Sequence, residues 1–287
     1  MKNFKVFDCF TFYNELDTLH VRFEELNDFV DYFILCESHL THRGKEKPLY
    51  FEENKDRFRK YNHKIVHLID TEMPKLDPNK VDDPWIRDTH QRNYLNNGLL
   101  KFDLKNNDQI ILSDLDEIPN VETLKKKLPV NWVYSLEQDF YYYNLHNKLK
   151  KKWRLSKVLN YETYVNKFNS TPQEVRVVLD YREILKFRFN RNIIKNGGWH
   201  FSYFGGVEKI INKIESALEQ VRPFLESDGG DIRLIEVTDD YIVKVKLLGA
   251  CSDCKVSMMT LKAGVEQAIK KVLPEVQKVV DVDKSED

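Results

Sequence analysis

The chain has 287 residues, 41% apolar and 32% charged, enough to bury a core without disulfide or metal staples and too apolar for a disordered chain. Its 45 Lys and Arg against 46 Asp and Glu leave a formal charge of −1, which argues against bulk-charge binding to nucleic acid or membrane surfaces. No apolar run reaches the ~18 residues of a membrane span, the N-terminus meets Asp8 and Glu15 too early for a signal peptide, and four cysteines make no disulfide scaffold, so the expected location is the reducing cytoplasm. Aromatic residues are unevenly spread: there are 4 Trp, 14 Tyr and 17 Phe, yet only Phe224 and Tyr241 follow Gly206. Residues 207–287 carry 12 Lys and Arg against 16 Asp and Glu, whereas the first 206 carry 33 against 30. This shift predicts two domains, 1–206 and 207–287.

In chain order, Phe4 to Phe7 reads as a strand. Glu15 to Val30 reads as a helix, because Leu16, Leu19, Phe23, Leu26 and Val30 recur every three or four residues. Tyr32 to Cys36 and Lys64 to Ile69 read as strands. Pro84 to Leu100 reads as a helix with proline near its start and Gly98 weakening its end. Gln109 to Leu112 reads as a buried strand. Strands alternating with helices predict an α/β architecture with a mostly parallel sheet, whose ligands sit at the carboxyl ends of the strands.

The stretch Ser113-Asp114-Leu115-Asp116-Glu117-Ile118-Pro119 follows that strand directly. Two aspartates spaced by one residue along a strand point the same way and can bind one hard divalent cation through oxygen. Such a cation could hold a diphosphate and neutralise a departing phosphate. Pro119 is expected to turn the chain. The plain reading of any D-x-D is a solvated acidic turn.

A wider set of segments occurs in a recognisable order. It comprises Phe7-Asp8-Cys9-Phe10, Asn14-Glu15-Leu16-Asp17, Val30-Asp31-Tyr32-Phe33, Cys36-Glu37-Ser38 and Thr41-His42-Arg43-Gly44-Lys45. Arg92-Asn93, Gly98-Leu99, the D-x-D segment and Gly198-Trp199-His200-Phe201-Ser202 with Phe204-Gly205-Gly206 complete it. Over residues 4–206 this resembles glycosyltransferase family 17. The resemblance implies a GT-A-like nucleotide-sugar domain acting as a β-1,4-N-acetylglucosaminyltransferase-like hexosyltransferase, with a UDP-sugar donor and a glycan acceptor. It implies Mn2+ or Mg2+ at Asp114 and Asp116, catalytic roles for Asp114, Asp116 and Glu117, and donor or acceptor contacts by Glu15, Glu37, Arg92, Trp199 and His200. Trp199 reads equally as a core anchor. Inverting transfer needs a carboxylate to take the acceptor proton; Glu37, Glu137 and Asp139 are candidates, each more simply a structural or solvated acid. The run Lys148, Lys150, Lys151, Lys152 and Arg154 reads as solvated surface, with phosphate contact as the alternative. Family members continue past the Gly-Gly segment, so a transferase part shortened at its C-terminus is expected.

In residues 207–287, Val207, Ile210, Ile211, Ile214, Leu218, Val221 and Leu225 mark one face of a helix, with Pro223 expected to bend or restart its last turn. Ile232 to Val237 and Tyr241 to Leu248 read as a hairpin, Ser257 to Leu273 as a helix, and Val276 to Val282 as a strand, giving an α-β-β-α-β unit. Cys251-Ser252-Asp253-Cys254 brings two thiols together. A redox disulfide, half a zinc site, half an iron–sulfur site and plain buried cysteines compete for that spacing. Every His precedes Gly206, so a closed four-ligand site needs two chains.

Glu219-Gln220-Val221-Arg222-Pro223-Phe224-Leu225, Asp228-Gly229-Gly230-Asp231, Leu248 to Cys254 and Ser257 to Glu266, with Pro274-Glu275-Val276 and Val279-Val280, are similar to the NifU C-terminal (Nfu-type) domain. The resemblance implies an iron–sulfur scaffold or carrier, with a [4Fe-4S] cluster held by Cys251 and Cys254 of two subunits, hence a homodimer, and delivery to apo iron–sulfur proteins. The expectation for the whole chain is a glycosyltransferase joined to an iron–sulfur carrier. The alternative is a carrier alone, with an inactive sugar-binding remnant before it.

Overall fold

The computed structural model describes residues 3–75, 84–125, 129, 131–142, 144–178, 191–202, 204, 206–227, 229–238, 242–249, 257–273 and 276–282. The chain divides into two compact units, Met1–Phe204 and Gly205–Asp287.

In the first unit, strand β1 (Val6–Thr11), helix α1 (Leu16–Leu26), strand β2 (Tyr32–Ser38), helix α2 (Tyr50–Asn54) and strand β3 (Ile65–Asp70) come first. Helices α3 (Pro84–Tyr94) and α4 (Asn96–Leu99) then lead to strand β4 (Gln109–Asp114). Strand β5 (Glu117–Pro119), helix α5 (Val121–Leu124), strands β6 (Val133–Tyr142) and β7 (Lys157–Asn160), helices α6 (Tyr161–Phe168) and α7 (Pro172–Arg176), and strand β8 (Arg191–Ser202) follow. One eight-stranded sheet results, in the order β3-β2-β1-β4-β7-β6-β8-β5. The four strands from β3 to β4 are parallel. β4 to β7, β7 to β6 and β8 to β5 are antiparallel, and β6 to β8 is parallel. The sheet is therefore mixed, not mostly parallel. The alternation visible in the sequence stops at β4, and β7 returns against it from a later part of the chain.

Both faces of β1 and β2 are covered. Val6, Phe10, Phe33 and Leu35 pack with Leu19, Phe23 and Leu26 of α1 on one side. Phe7, Cys9, Ile34 and Cys36 pack with Leu95, Leu99 and Tyr164 on the other. Burial on both faces explains the near-continuous apolar runs of these strands. β1 starts and ends later than the expected Phe4 to Phe7, since Asp8 stays inside the strand on a buried partner, Arg22. The expected Pro84 to Leu100 helix breaks at Leu95, whose amide bonds the carbonyl three residues back, at Arg92 (3.3 Å). Pro119 ends β5, the edge strand, where a missing N–H is tolerated, and α5 begins two residues later.

The second unit runs helix α8 (Gly206–Ser227), strands β9 (Gly230–Val237) and β10 (Ile242–Gly249), helix α9 (Ser257–Val272) and strand β11 (Lys278–Asp281). Its sheet order is β11-β10-β9, with β9 and β10 antiparallel and β10 and β11 parallel. Ile214, Leu218 and Leu225 of α8 are buried, as are Ile232, Val243, Val245 and Leu247 from the sheet and Val265 and Ile269 from α9. Pro223 lies inside α8 without ending it. No helix among the described residues is long and apolar enough to cross a membrane.

Candidate functional site

The strand order reverses at β1: β2 and β3 extend to one side, and the chain then returns to place β4 on the other. Thr11 at the end of β1 pairs in register with Asp114 at the end of β4. The D-x-D therefore stands at the switch point, where open α/β sheets form their ligand crevice. Asp114 closes β4, while Leu115 and Asp116 form a turn before β5. Strand alternation, which would aim both aspartates the same way, does not extend past Asp114.

The two aspartates have different partners. Asp114 Oδ1 accepts from Arg92 Nη2 at 2.9 Å and Oδ2 from Arg176 Nη2 at 2.6 Å. Arg176 also donates to both oxygens of Glu117, at 2.7 and 2.6 Å. Fully buried, Glu117 further accepts from the Asp114 amide (3.0 Å), the Ser156 hydroxyl (2.8 Å) and the Trp153 indole N–H. Burial alone would push both carboxyls up. Arg176 and Arg92 outweigh it at Asp114, and Arg176 at Glu117, so both are held below the usual carboxylate range and stay ionised. Arginine thus engages Asp114 and Glu117, so Asp114 does not stand free beside Asp116 for the expected cation pair.

Asp116 faces His200, with Oδ2 3.3 Å from Nε2. The register of Glu117 opposite His200 between β5 and β8 brings them together. Phe140 stacks on the imidazole at 4.6 Å and Trp153 lies at 4.3 Å, which fixes the plane of the ring. Burial pulls the His200 pKa down, but the hydrogen bond and charge of Asp116 prevail and raise it. Its Nδ1 is buried without a hydrogen bond. Trp199 is half-buried, and alternation along β8 sends its side chain to the opposite face.

Arg22 holds the turn from beneath. Its guanidinium bonds both Asp8 oxygens (2.8 and 2.6 Å), the Ser113 hydroxyl (2.5 Å) and the carbonyls of Asp114, Leu115 and Glu117 (2.9, 3.0 and 3.1 Å). Neither Arg22 nor Arg176 stood out in the sequence as a site residue. A signal existed for Arg22: it lies three residues after Leu19 and four before Leu26, on the buried stripe of α1.

Each candidate base has a partner within the fold. Glu37 is fully buried and caps α2, accepting from the amides of Phe51 and Glu52 (3.0 Å each) and from His67 Nε2 (2.8 Å). Glu137 pairs with Arg154, and Asp139 with Lys148 and Lys152, so the basic run lies against the acids of β6. Glu15 sits at the start of α1 and accepts from the Asn14 amide at 3.0 Å. Cys251 and Cys254 lie outside the described residues. β10 ends just before them at Gly249, whose φ of +68° and 2.4 Å clearance to the Gly229 carbonyl leave no room for a side chain. Cys9 and Cys36 are free and buried, and burial pushes both thiols up.

Asp116 and His200 are the candidate cation ligands at the turn, and His200 would first have to give up the Nε2 proton that Asp116 favours. Asp88, Asp114, Asp116 and Glu117 outnumber Arg92 and Arg176 around the turn by two, and a protonated His200 offsets one of these charges. A carboxylate and an imidazole 3.3 Å apart match neighbouring ligands on one cation, which at about 2.1 Å and right angles lie about 3 Å apart. No group of three or more His, Cys, Asp or Glu suited to a metal occurs among the described residues.

The family model for glycosyltransferase family 17 matches residues 1–222. The chain belongs to that family. The model for the NifU-like domain matches residues 214–280, so the two matches overlap within α8. The beta-1,4-mannosyl-glycoprotein 4-beta-N-acetylglucosaminyltransferases of Rattus norvegicus and Homo sapiens are each 35% identical over 119 residues, covering 40% of this chain and 22% of theirs. NifU-like protein 2, chloroplastic, of Arabidopsis thaliana is 48% identical over 63 residues, covering 22% of this chain and 26% of its own. Fe/S biogenesis protein NfuA of Blochmanniella pennsylvanica is 33% identical over 72 residues, covering 25% of this chain and 37% of its own. The chain thus spans only 22–37% of the length of these relatives.

Proposed function

We propose that residues 1–206 form a GT-A-like domain that transfers N-acetylglucosamine from a UDP-sugar to a glycan hydroxyl, and that residues 207–287 form an Nfu-type iron–sulfur carrier. The observation that supports the first part best is the Asp116–His200 pair at the switch point between β1 and β4. Asp116 and His200 would hold Mn2+ or Mg2+, which supplies charge neutralisation to the departing diphosphate. Arg92 and Arg176 keep Asp114 and Glu117 ionised and fixed, so the turn is preorganised. Arg22 holds the backbone that carries Asp116. Phe140 and Trp153 keep His200 from rotating away.

Support for the second part comes from the NifU-like match and the α-β-β-α-β order. Cys251 and Cys254 of two chains would supply four thiolates to a [4Fe-4S] cargo, passed on to apo iron–sulfur proteins. Free Cys9 and Cys36 suit a reducing, cytoplasmic setting. The deciding experiment is UDP-GlcNAc turnover with Mn2+ by the full chain. Turnover lost in Asp116→Ala and kept in Glu37→Gln is expected. Absence of both turnover and UDP binding in the intact chain would refute the transferase and leave a carrier with a sugar-binding remnant.

A further inference from the structure

Strand β8 lies between β6 and β5 and has to satisfy a register on each side. Toward β6, Leu136 pairs with Ile194 and Gln138 with Gly198, so β8 advances four residues while β6 advances two. Toward β5, Glu117 pairs with His200, Ile118 with Trp199 and Pro119 with Gly198. β5 is not free to slide, because Leu115 and Asp116 tie it to the end of β4 and Arg22 holds the carbonyls around that turn. The two extra residues of β8 reconcile the registers. Counted straight on from Ile194, Phe140 would pair with Gly198, and His200 would stand two residues, about 6.6 Å, further along β6.

This bulge is built from backbone that ordinary strand residues resist. Asn196 has a φ of +54° and Gly198 a φ of +129°. A Cβ at Gly198 would stand 2.1 Å from the Ile118 carbonyl oxygen and 2.8 Å from the Asn120 amide nitrogen. Glycine inside a strand marks a bulge or a close backbone approach, and bulges beside a site re-aim its side chains. Around the bulge the Asn120 amide donates to the Gly197 carbonyl at 3.0 Å, and the Phe201 amide donates to the Asp116 carbonyl at 2.8 Å. β8 thus grips the Asp116 turn by its backbone. The same grip leaves His200 Nε2 3.3 Å from Asp116 Oδ2, with Phe140 stacked on the ring.

We propose that Gly198 is a positioning residue, assisted by Asn196, and that the bulge they form sets the His200 imidazole against Asp116. This rests on the reading of Asp116 and His200 as the reactive pair of the first unit. In this role Gly198 acts through His200 and touches neither cation nor substrate.

The test begins without metal. In the full chain, the imidazole 15N resonances of His200, assigned by their loss in His200→Gln, are expected to move on Asp116→Asn. In Gly198→Ala most of that response is expected to be lost, whereas Asn196→Gly, which tolerates the positive φ, is expected to retain it. Mn2+ affinity, read by electron paramagnetic resonance, is expected to weaken about tenfold in Gly198→Ala. It is expected to weaken no further when Gly198→Ala is added to His200→Ala, since changes that act through one side chain do not add. A folded Gly198→Ala chain with the native His200 response would overturn the proposal, as would an equal loss of Mn2+ affinity in both backgrounds. If Gly198→Ala does not fold, Asn196→Val takes its place under the same criteria, because Asn196 is exposed and a β-branched residue resists a positive φ. If the native chain binds no Mn2+, the cation reading fails, and the His200 response alone decides the positioning role.

Discussion

The two units handle charge in opposite ways. In the first, Asp8, Arg22, Glu37, Glu117 and Arg176 are buried, and three of them converge beneath one turn at the carboxyl end of the sheet. In the second, every buried side chain among the described residues is apolar. An apolar core needs only the right pattern and volume. A buried ionic core needs every partner present, because removing one leaves a charge in low dielectric. The first unit thus sets its candidate chemistry, Asp116 and His200, directly on the ionic residues that stabilise it, whereas in the second Cys251 and Cys254 lie between β10 and α9.

That contrast can be broken most forcefully at Arg176. Arg176→Met leaves Asp114 and Glu117 without their shared cation, and a loss of about 3–5 kcal/mol is expected in the denaturation of the first unit. The second unit, followed by hydrogen exchange in the same chain, is expected to keep its protection. Asp116→Ala should act the other way: its side chain is 30% exposed, so folding stability should stay within about 1 kcal/mol while cation affinity falls about 100-fold or more.

Acid provides a graded version of the same test. Asp114 and Glu117 have folded pKa values below their ordinary ones. Their stabilising contribution is complete above the unfolded carboxylate range near about pH 4 and is lost as pH falls through the folded values. The urea midpoint of the first unit should therefore drop steeply below about pH 4.5, and the slope should flatten in Arg176→Met. The smallest expected effect is that of Glu37→Gln, which weakens the cap on α2 by about 0.5–2 kcal/mol and spares transfer. Loss of turnover at unchanged stability would restore Glu37 as the base.

Much of this arrangement is legible in the sequence, and its gaps have physical causes. β1, β2 and β4 show because they are apolar on both faces, and α1 shows through its 3.6-residue stripe. The second unit shows as well, in the element order from α8 to β11. β6 does not show, since Glu137, Gln138 and Asp139 interrupt it with partners on Arg154, Ser156, Lys148 and Lys152 that lie outside the strand. The D-x-D was visible as chemistry, but its division was not: the arginine contacts that claim Asp114 come from α3 and α7, 22 and 62 residues away. An arginine in a helix reads as surface by default. Asp8 within an apolar strand and Arg22 within an apolar stripe are the exceptions that, taken together, announce a buried pair.

The account is tested most directly by electron paramagnetic resonance titration of Mn2+ into the full chain, with and without UDP. It predicts a bound-Mn2+ signal that UDP strengthens, that is lost in Asp116→Ala and weakened in His200→Ala. Mn2+ bound equally well by the Asp116→Ala chain would contradict it.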